Sequence, residues 1–111
     1  MTDMIIETKI EDMMVYGYTA LRQFPKSEKY GMAADIKAQM DLILERTIEA
    51  KKHYYKKTTL RDLDVSLEKL RKYLRLAMKM KCLPMKQYEI WTGQIAEIGK
   101  MVGGWINSVQ K

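Results

Sequence analysis

Leu60, Leu63, Leu67, Leu70, Leu74 and Ala77 recur at intervals of three and four residues. That spacing gathers them on one face of an α-helix and would scatter them over both faces of a strand. No stretch shows apolar alternation bounded by hairpin turns. Both prolines, Pro25 and Pro84, fall between periodic segments, where a missing N–H and a fixed φ do least harm. The expected fold class is all-α.

Three further segments share this periodicity. The first helix is expected over about residues 3–23, with Thr2 or Asp3 as N-cap and Ile6, Ile10, Met13, Met14 and Leu21 as its apolar positions. Pro25 should end it, because proline disfavours α geometry at the residue before it. The second is expected over about 28–54 from a Ser27 N-cap, running Met32, Ile36, Met40, Ile43, Thr47. Its acids Glu28 and Asp35 lie early and Lys51 and Lys52 late, as the helix dipole favours. The leucine helix follows from Thr58 or Thr59 as N-cap to about Cys82, and the fourth spans about 85–109 through Tyr88, Trp91, Ile95, Ile98, Val102, Trp105 or Ile106, and Val109. Four helices of similar length joined by short loops predict an antiparallel up-down-up-down four-helix bundle, one domain over residues 1–111.

A chain of 111 residues buries roughly two thirds of its unfolded surface on folding, enough for a core without staples. Cys82 is the single cysteine, so no internal disulfide forms and a reducing, cytoplasmic compartment is expected. The alternative is an intermolecular bridge or a reactive thiol. Residues 1–7 carry no basic region before a long apolar core, and no window reads as a membrane span.

The inventory for catalysis is thin. His53 is the only histidine, no second ligand clusters with it or with Cys82, and no Glu-x-x-His pair occurs. Metal sites need three or four ligands and nucleophiles need an oriented base, so no metal, cofactor or catalytic residue is expected. Gly99, Gly103 and Gly104 lie within a helical stripe and not after a strand, which excludes a phosphate-binding glycine loop.

Charge is segregated instead. Between Lys51 and Lys86 the chain carries twelve Lys/Arg against Asp62, Asp64 and Glu68, while residues 1–50 are net acidic. Within this run, Lys51, Lys52, Lys56 and Lys57 flank Tyr54 and Tyr55, so rings able to stack on bases interleave with ammoniums that seek phosphates. Arg71, Lys72, Arg75 and Lys79 recur at helical spacing off the leucine seam and can form one band. These ten residues are the expected nucleic-acid contacts. The alternatives are a solvated face, or a scaffold that docks an acidic protein.

The fourth helix also holds Gly93, Gly99, Gly103 and Gly104, each costing about 1 kcal/mol relative to Ala in a helix interior. Gly99 and Gly103 share a face, and small residues four apart admit a neighbouring helix, either within the bundle or from another subunit. Trp91 and Trp105 would add contact area beside them, so these four residues are the candidate subunit interface. Met78, Met80 and Met85 gather near the third interhelix turn, as core filler or as an adaptable docking surface.

At Phe24-Pro25-Lys26-Ser27-Glu28-Lys29-Tyr30-Gly31-Met32 the chain resembles small bacterial four-helix proteins first known from reading frames inside ribosomal RNA intervening sequences. Their first interhelix turn reads much like FPKxExYGL. Their second helix usually carries a stretch close to SIPxNIAEG, where this chain reads Ile43-Leu44-Glu45-Arg46-Thr47-Ile48-Glu49-Ala50. Ala96-Glu97-Ile98-Gly99-Lys100-Met101-Val102-Gly103-Gly104-Trp105-Ile106 is similar to the last helix of the Avd (accessory variability determinant) family of diversity-generating retroelements, in the same superfamily. The resemblance implies a bundle that assembles into a homopentameric barrel with a basic surface. It implies as partners the retroelement reverse transcriptase and template-derived RNA, with its cDNA, and a noncatalytic role in error-prone copying of that RNA.

Overall fold

The computed structural model describes residues 2–109, with side chains from Met4 onward. Four helices account for nearly all of it: α1 (Thr2–Leu21), α2 (Met32–Lys52), α3 (Lys57–Lys79) and α4 (Met85–Val109). They form a rod of 46 × 23 × 19 Å. Each helix packs on two others, α1 on α2 and α4, and α3 on α2 and α4, while the diagonal pairs are not neighbours among the described residues. This is the expected four-helix bundle. The predicted caps of the first helix, Thr2 and Asp3, lie outside the described side chains.

The apolar stripes explain the packing. Ile36, Met40, Ile43 and Thr47 on α2, and Leu60, Leu63, Leu70, Leu74 and Ala77 on α3, have no exposed surface. Removing such stripes from water drives assembly at about 25 cal/mol per Å² of apolar area. Two buried polar side chains are bonded within the core: Thr47 Oγ1 donates to the Ile43 carbonyl at 2.8 Å, and Gln39 Nε2 donates across to the Ser66 carbonyl at 3.0 Å. No helix among the described residues is long and apolar enough to cross a membrane.

Helix ends differ from the sequence expectation at three places. Ser27 does not cap α2. Pro25, extended at φ −57° and ψ 147°, leads into a separate 3-10 turn over Lys26–Glu28, and α2 begins only after Gly31. There the Glu28 carboxylate reaches forward to accept from Met32 N at 3.3 Å, satisfying one of the orphan amides of the first turn. Nor do Thr58 and Thr59 cap α3, because the helix already starts at Lys57 with Lys56 in the N-cap position and no side-chain cap bond.

α3 ends at Lys79, before Cys82. Lys81 adopts φ 64°, Cys82 N donates to the Ala77 carbonyl at 2.9 Å and Lys81 N donates to the Met78 carbonyl at 3.0 Å. These six-to-one and five-to-two bonds are a Schellman closure, built here on lysine where glycine is usual. Cys82 is thereby folded inward. Burial, with a smaller contribution from the charge of Glu28, pushes its thiol above the ordinary range, which keeps it protonated and poorly nucleophilic.

The tightest point of the core went unnoticed in the sequence. A Cβ on Gly17 would lie 2.6 Å from Trp91 Cζ2 and 2.7 Å from Met40 Sδ. Gly17 is therefore what lets α1 close over the indole of α4 and the thioether of α2. Trp91 is fully buried, its Nε1 donating to Met13 Sδ at 3.3 Å and its ring meeting Tyr16 edge-on at 6.4 Å.

Candidate nucleic-acid interface

The loop between α2 and α3 is built by lysines with different tasks. α2 leaves its last carbonyls without intrahelical partners, and the chain turns extended at His53, φ −75° and ψ 141°. Lys56 folds back over this end: its Nζ donates to the carbonyls of Ala50 at 2.7 Å, His53 at 2.8 Å and Lys51 at 3.2 Å. All three ammonium donors are thus engaged at the negative end of the α2 dipole. Lys51 is also committed, donating to Glu7 Oε2 on α1 at 3.1 Å with only 25% of its side chain exposed. His53 Nδ1 meets Thr59 Oγ1 at 3.1 Å, which ties the loop to the first turn of α3.

Lys56 and Lys51, both expected as nucleic-acid contacts, thus already have partners within the chain. Four members of the cluster remain outward. Lys52 and Lys57 are exposed without an ion pair among the described residues. Tyr54 and Tyr55 are 88% and 85% exposed and meet each other edge-to-face, with ring centres 4.8 Å apart and planes at 90°. Two phenol rings held in water by a loop of cations are not explained by the core.

The second basic group lies toward the other end of α3. Arg71, Lys72, Arg75 and Lys79 are all exposed. Arg71 Nη1 and Lys72 Nζ share Glu68 at 3.3 and 3.4 Å, whereas Arg75 and Lys79 have no acid partner among the described residues. Exposed pairs of this kind contribute about 0–1 kcal/mol and yield readily to a stronger anion. From Lys57 to Arg71 along α3 is about 21 Å at ~1.5 Å per residue. The two basic groups are therefore separate patches at opposite ends of one helix.

On α4 the expected interface residues divide. Trp91, with no exposed surface, offers nothing to a second subunit and is withdrawn from the interface. A Cβ on Gly93, Gly99, Gly103 or Gly104 would meet nothing within 4 Å, so close internal packing does not account for these glycines. Gly99 instead borders a groove of about 520 Å³ between α3 and α4, together with Leu67, Glu68, Arg71, Ile95 and Ala96. Trp105 is partly buried against the core. Of the methionines near the third turn, Met80 and Met85 are 46% and 56% exposed, so they are not core filler.

No group of three His, Cys, Asp or Glu among the described residues could hold a metal ion. The chemistry available here is charge neutralisation, ring stacking and close helix approach. No curated protein matches the chain. A family model described as bAvd-like matches residues 4–109, nearly the whole length and all four helices, and the chain accordingly belongs to the bAvd-like family.

Proposed function

We propose that this protein is a noncatalytic accessory subunit of a diversity-generating retroelement, which holds RNA and its cDNA copy beside the reverse transcriptase during mutagenic copying. Membership of the bAvd-like family supports the retroelement setting. The observation that carries the nucleic-acid role is the pair Tyr54 and Tyr55, 88% and 85% exposed between the ammoniums of Lys52 and Lys57, which have no ion pair among the described residues. A stacked base is worth about 1–3 kcal/mol per aromatic platform, and the lysines add counterion release.

Arg75 and Lys79, with Arg71 and Lys72 once Glu68 lets go, form the second contact. The ~21 Å between the patches is a span of several nucleotides along one strand, so one nucleic acid can reach both. In this reading the chain assembles as a homopentamer through the flank of α4 beside its groove with α3. Gly99 and Gly103 leave room there for a neighbouring helix, and Trp105 adds area.

The test is the anisotropy of a labelled structured RNA over about 50–300 mM salt. Wild type is compared with Lys52→Glu/Lys57→Glu/Arg75→Glu, and with Lys56→Met as a control for loss of the α2 cap. The triple variant should bind at least ~10-fold more weakly, with a log–log salt slope lower by about 2–3, near 0.7–0.9 for each phosphate left without its cation. Lys56→Met should keep the wild-type slope. A shallow slope and weak binding, equal in all three proteins, would overturn the RNA role and assign the basic patches to an acidic protein partner.

A further inference from the structure

The α1–α2 turn holds a feature that the two patches do not use. Where α1 ends and α2 begins, a groove of about 460 Å³ is lined by the cations Arg22, Lys26, Lys29 and Lys37 and by the rings of Tyr18 and Phe24, and no carboxylate lines it. The nearby acid, Glu28, is occupied with the Met32 amide at 3.3 Å and stays out of the groove. None of the four cations has an acid partner among the described residues. Lys37 Nζ instead lies 5.9 Å from the Tyr18 ring centre and Lys29 Nζ 5.6 Å from that of Tyr30.

The groove exists because the chain breaks there. α1 and α2 touch least of the four neighbouring helix pairs, and the extended Pro25 followed by a 3-10 turn over Lys26–Glu28 interrupts the helical path between them. The floor of the groove is apolar: Leu21, Phe24 and Ala33 are 5%, 8% and 5% exposed. Four like charges around one concavity of ligand size repel one another until an anion joins them, and its low-dielectric floor strengthens that attraction.

We infer that this groove binds a nucleoside phosphate, with the phosphate among Arg22, Lys26, Lys29 and Lys37 and the base against Tyr18 and the apolar floor. Arginine can grip phosphate oxygens with two parallel bonds, lysines neutralise the remaining charge, and Tyr18 at 38% exposure presents a ring to stack on. The same chemistry arises from a free nucleotide or from a terminal or unpaired nucleotide of a strand. The strand version rests on the nucleic-acid reading above and adds a third site about 30 Å from the tyrosine loop, the length of α2 at ~1.5 Å per residue.

The experiment is calorimetric titration of the full chain with adenosine 5′-monophosphate and, separately, with a 5′-phosphorylated oligoadenylate. Three proteins are compared: wild type, a groove variant Arg22→Gln/Lys26→Gln/Lys29→Gln, and a loop variant Lys52→Gln/Lys57→Gln. A Lys37→Glu single variant, with its charge on the outside of α2, serves where the triple variant loses helicity by circular dichroism. The groove changes should weaken the mononucleotide at least ~10-fold, while the loop changes leave it within ~2-fold. A groove effect on the oligoadenylate without mononucleotide binding supports the inference and names a strand as the source. Indifference of both probes to the groove changes overturns it. If only the loop variant weakens the oligoadenylate and the mononucleotide ignores the groove changes, the proposed function stands and the groove falls; if only the groove variant weakens the oligoadenylate, the groove stands and the tyrosine loop falls.

Discussion

Gly17 on α1 and Gly99 on α4 are the same residue in helices of similar length, with opposite surroundings. A Cβ at Gly17 would strike the Trp91 ring and the Met40 sulfur at 2.6 and 2.7 Å, whereas at Gly99 it would meet nothing within 4 Å. One glycine is required by what the chain packs against itself. The other carries the helix-weakening cost of glycine with no contact inside the bundle to account for it. Lys81 completes the contrast, taking the left-handed backbone at φ 64° that glycine adopts freely.

The largest expected effect lies at the crowded site. Gly17→Val should lose about 2–3 kcal/mol of stability, in the range of overpacked cores, because the indole is pinned by Met13 and Tyr16 and cannot withdraw. Urea unfolding of a monomeric preparation gives the number. A midpoint equal to wild type would break the comparison at its inner half, since it would mean that α1 and α4 shift apart without loss.

The closure of α3 should respond in the other direction. Lys81→Gly removes the steric cost of a non-glycine residue in the left-handed region, about 1–2 kcal/mol, and gives part of it back as unfolded-chain entropy. A net gain of about 1 kcal/mol is expected by the same unfolding assay. A loss would mean that the lysine side chain contributes a contact beyond the backbone bonds to Ala77 and Met78.

These sites show what the sequence could and could not reveal. The leucine seam from Leu60 to Ala77 was legible because every member is buried by one helix face, a property of spacing alone. The same logic mislabelled Trp91, since a stripe says that a residue is covered and not whether by its own chain or another. Periodicity is silent on close approach, so Gly17, one glycine between two tyrosines, carried no signal until α1 was set against α4. Lysines were harder still. Lys51, Lys52, Lys56 and Lys57 look alike in sequence, but Lys56 caps α2 and Lys51 pairs with Glu7, 44 residues earlier. The cations of the α1–α2 groove were missed for the converse reason. Arg22, Lys26, Lys29 and Lys37 sit in the net acidic part of the chain, and only the fold of the turn collects them while leaving the acids elsewhere.

The smallest effect tests the outer half of the comparison. In a monomeric preparation Gly93→Ala and Gly99→Ala should each gain somewhat under ~1 kcal/mol, because each added methyl enters open space and the helix interior loses its most flexible residue. Gly93, higher on α4 and exposed, should behave the same in every preparation. At Gly99 and Gly103 the sign should depend on the proposed assembly: light scattering of Gly99→Leu/Gly103→Leu should show the proposed oligomer reduced to monomer, while the isolated chain remains at least as helical as wild type. Equal gains at Gly93 and Gly99 with assembly intact in the double variant would remove the outside partner from the argument. The open glycines of α4 would then be a cost that the bundle tolerates, and Gly17 the one glycine of the two helices whose place is set by contact.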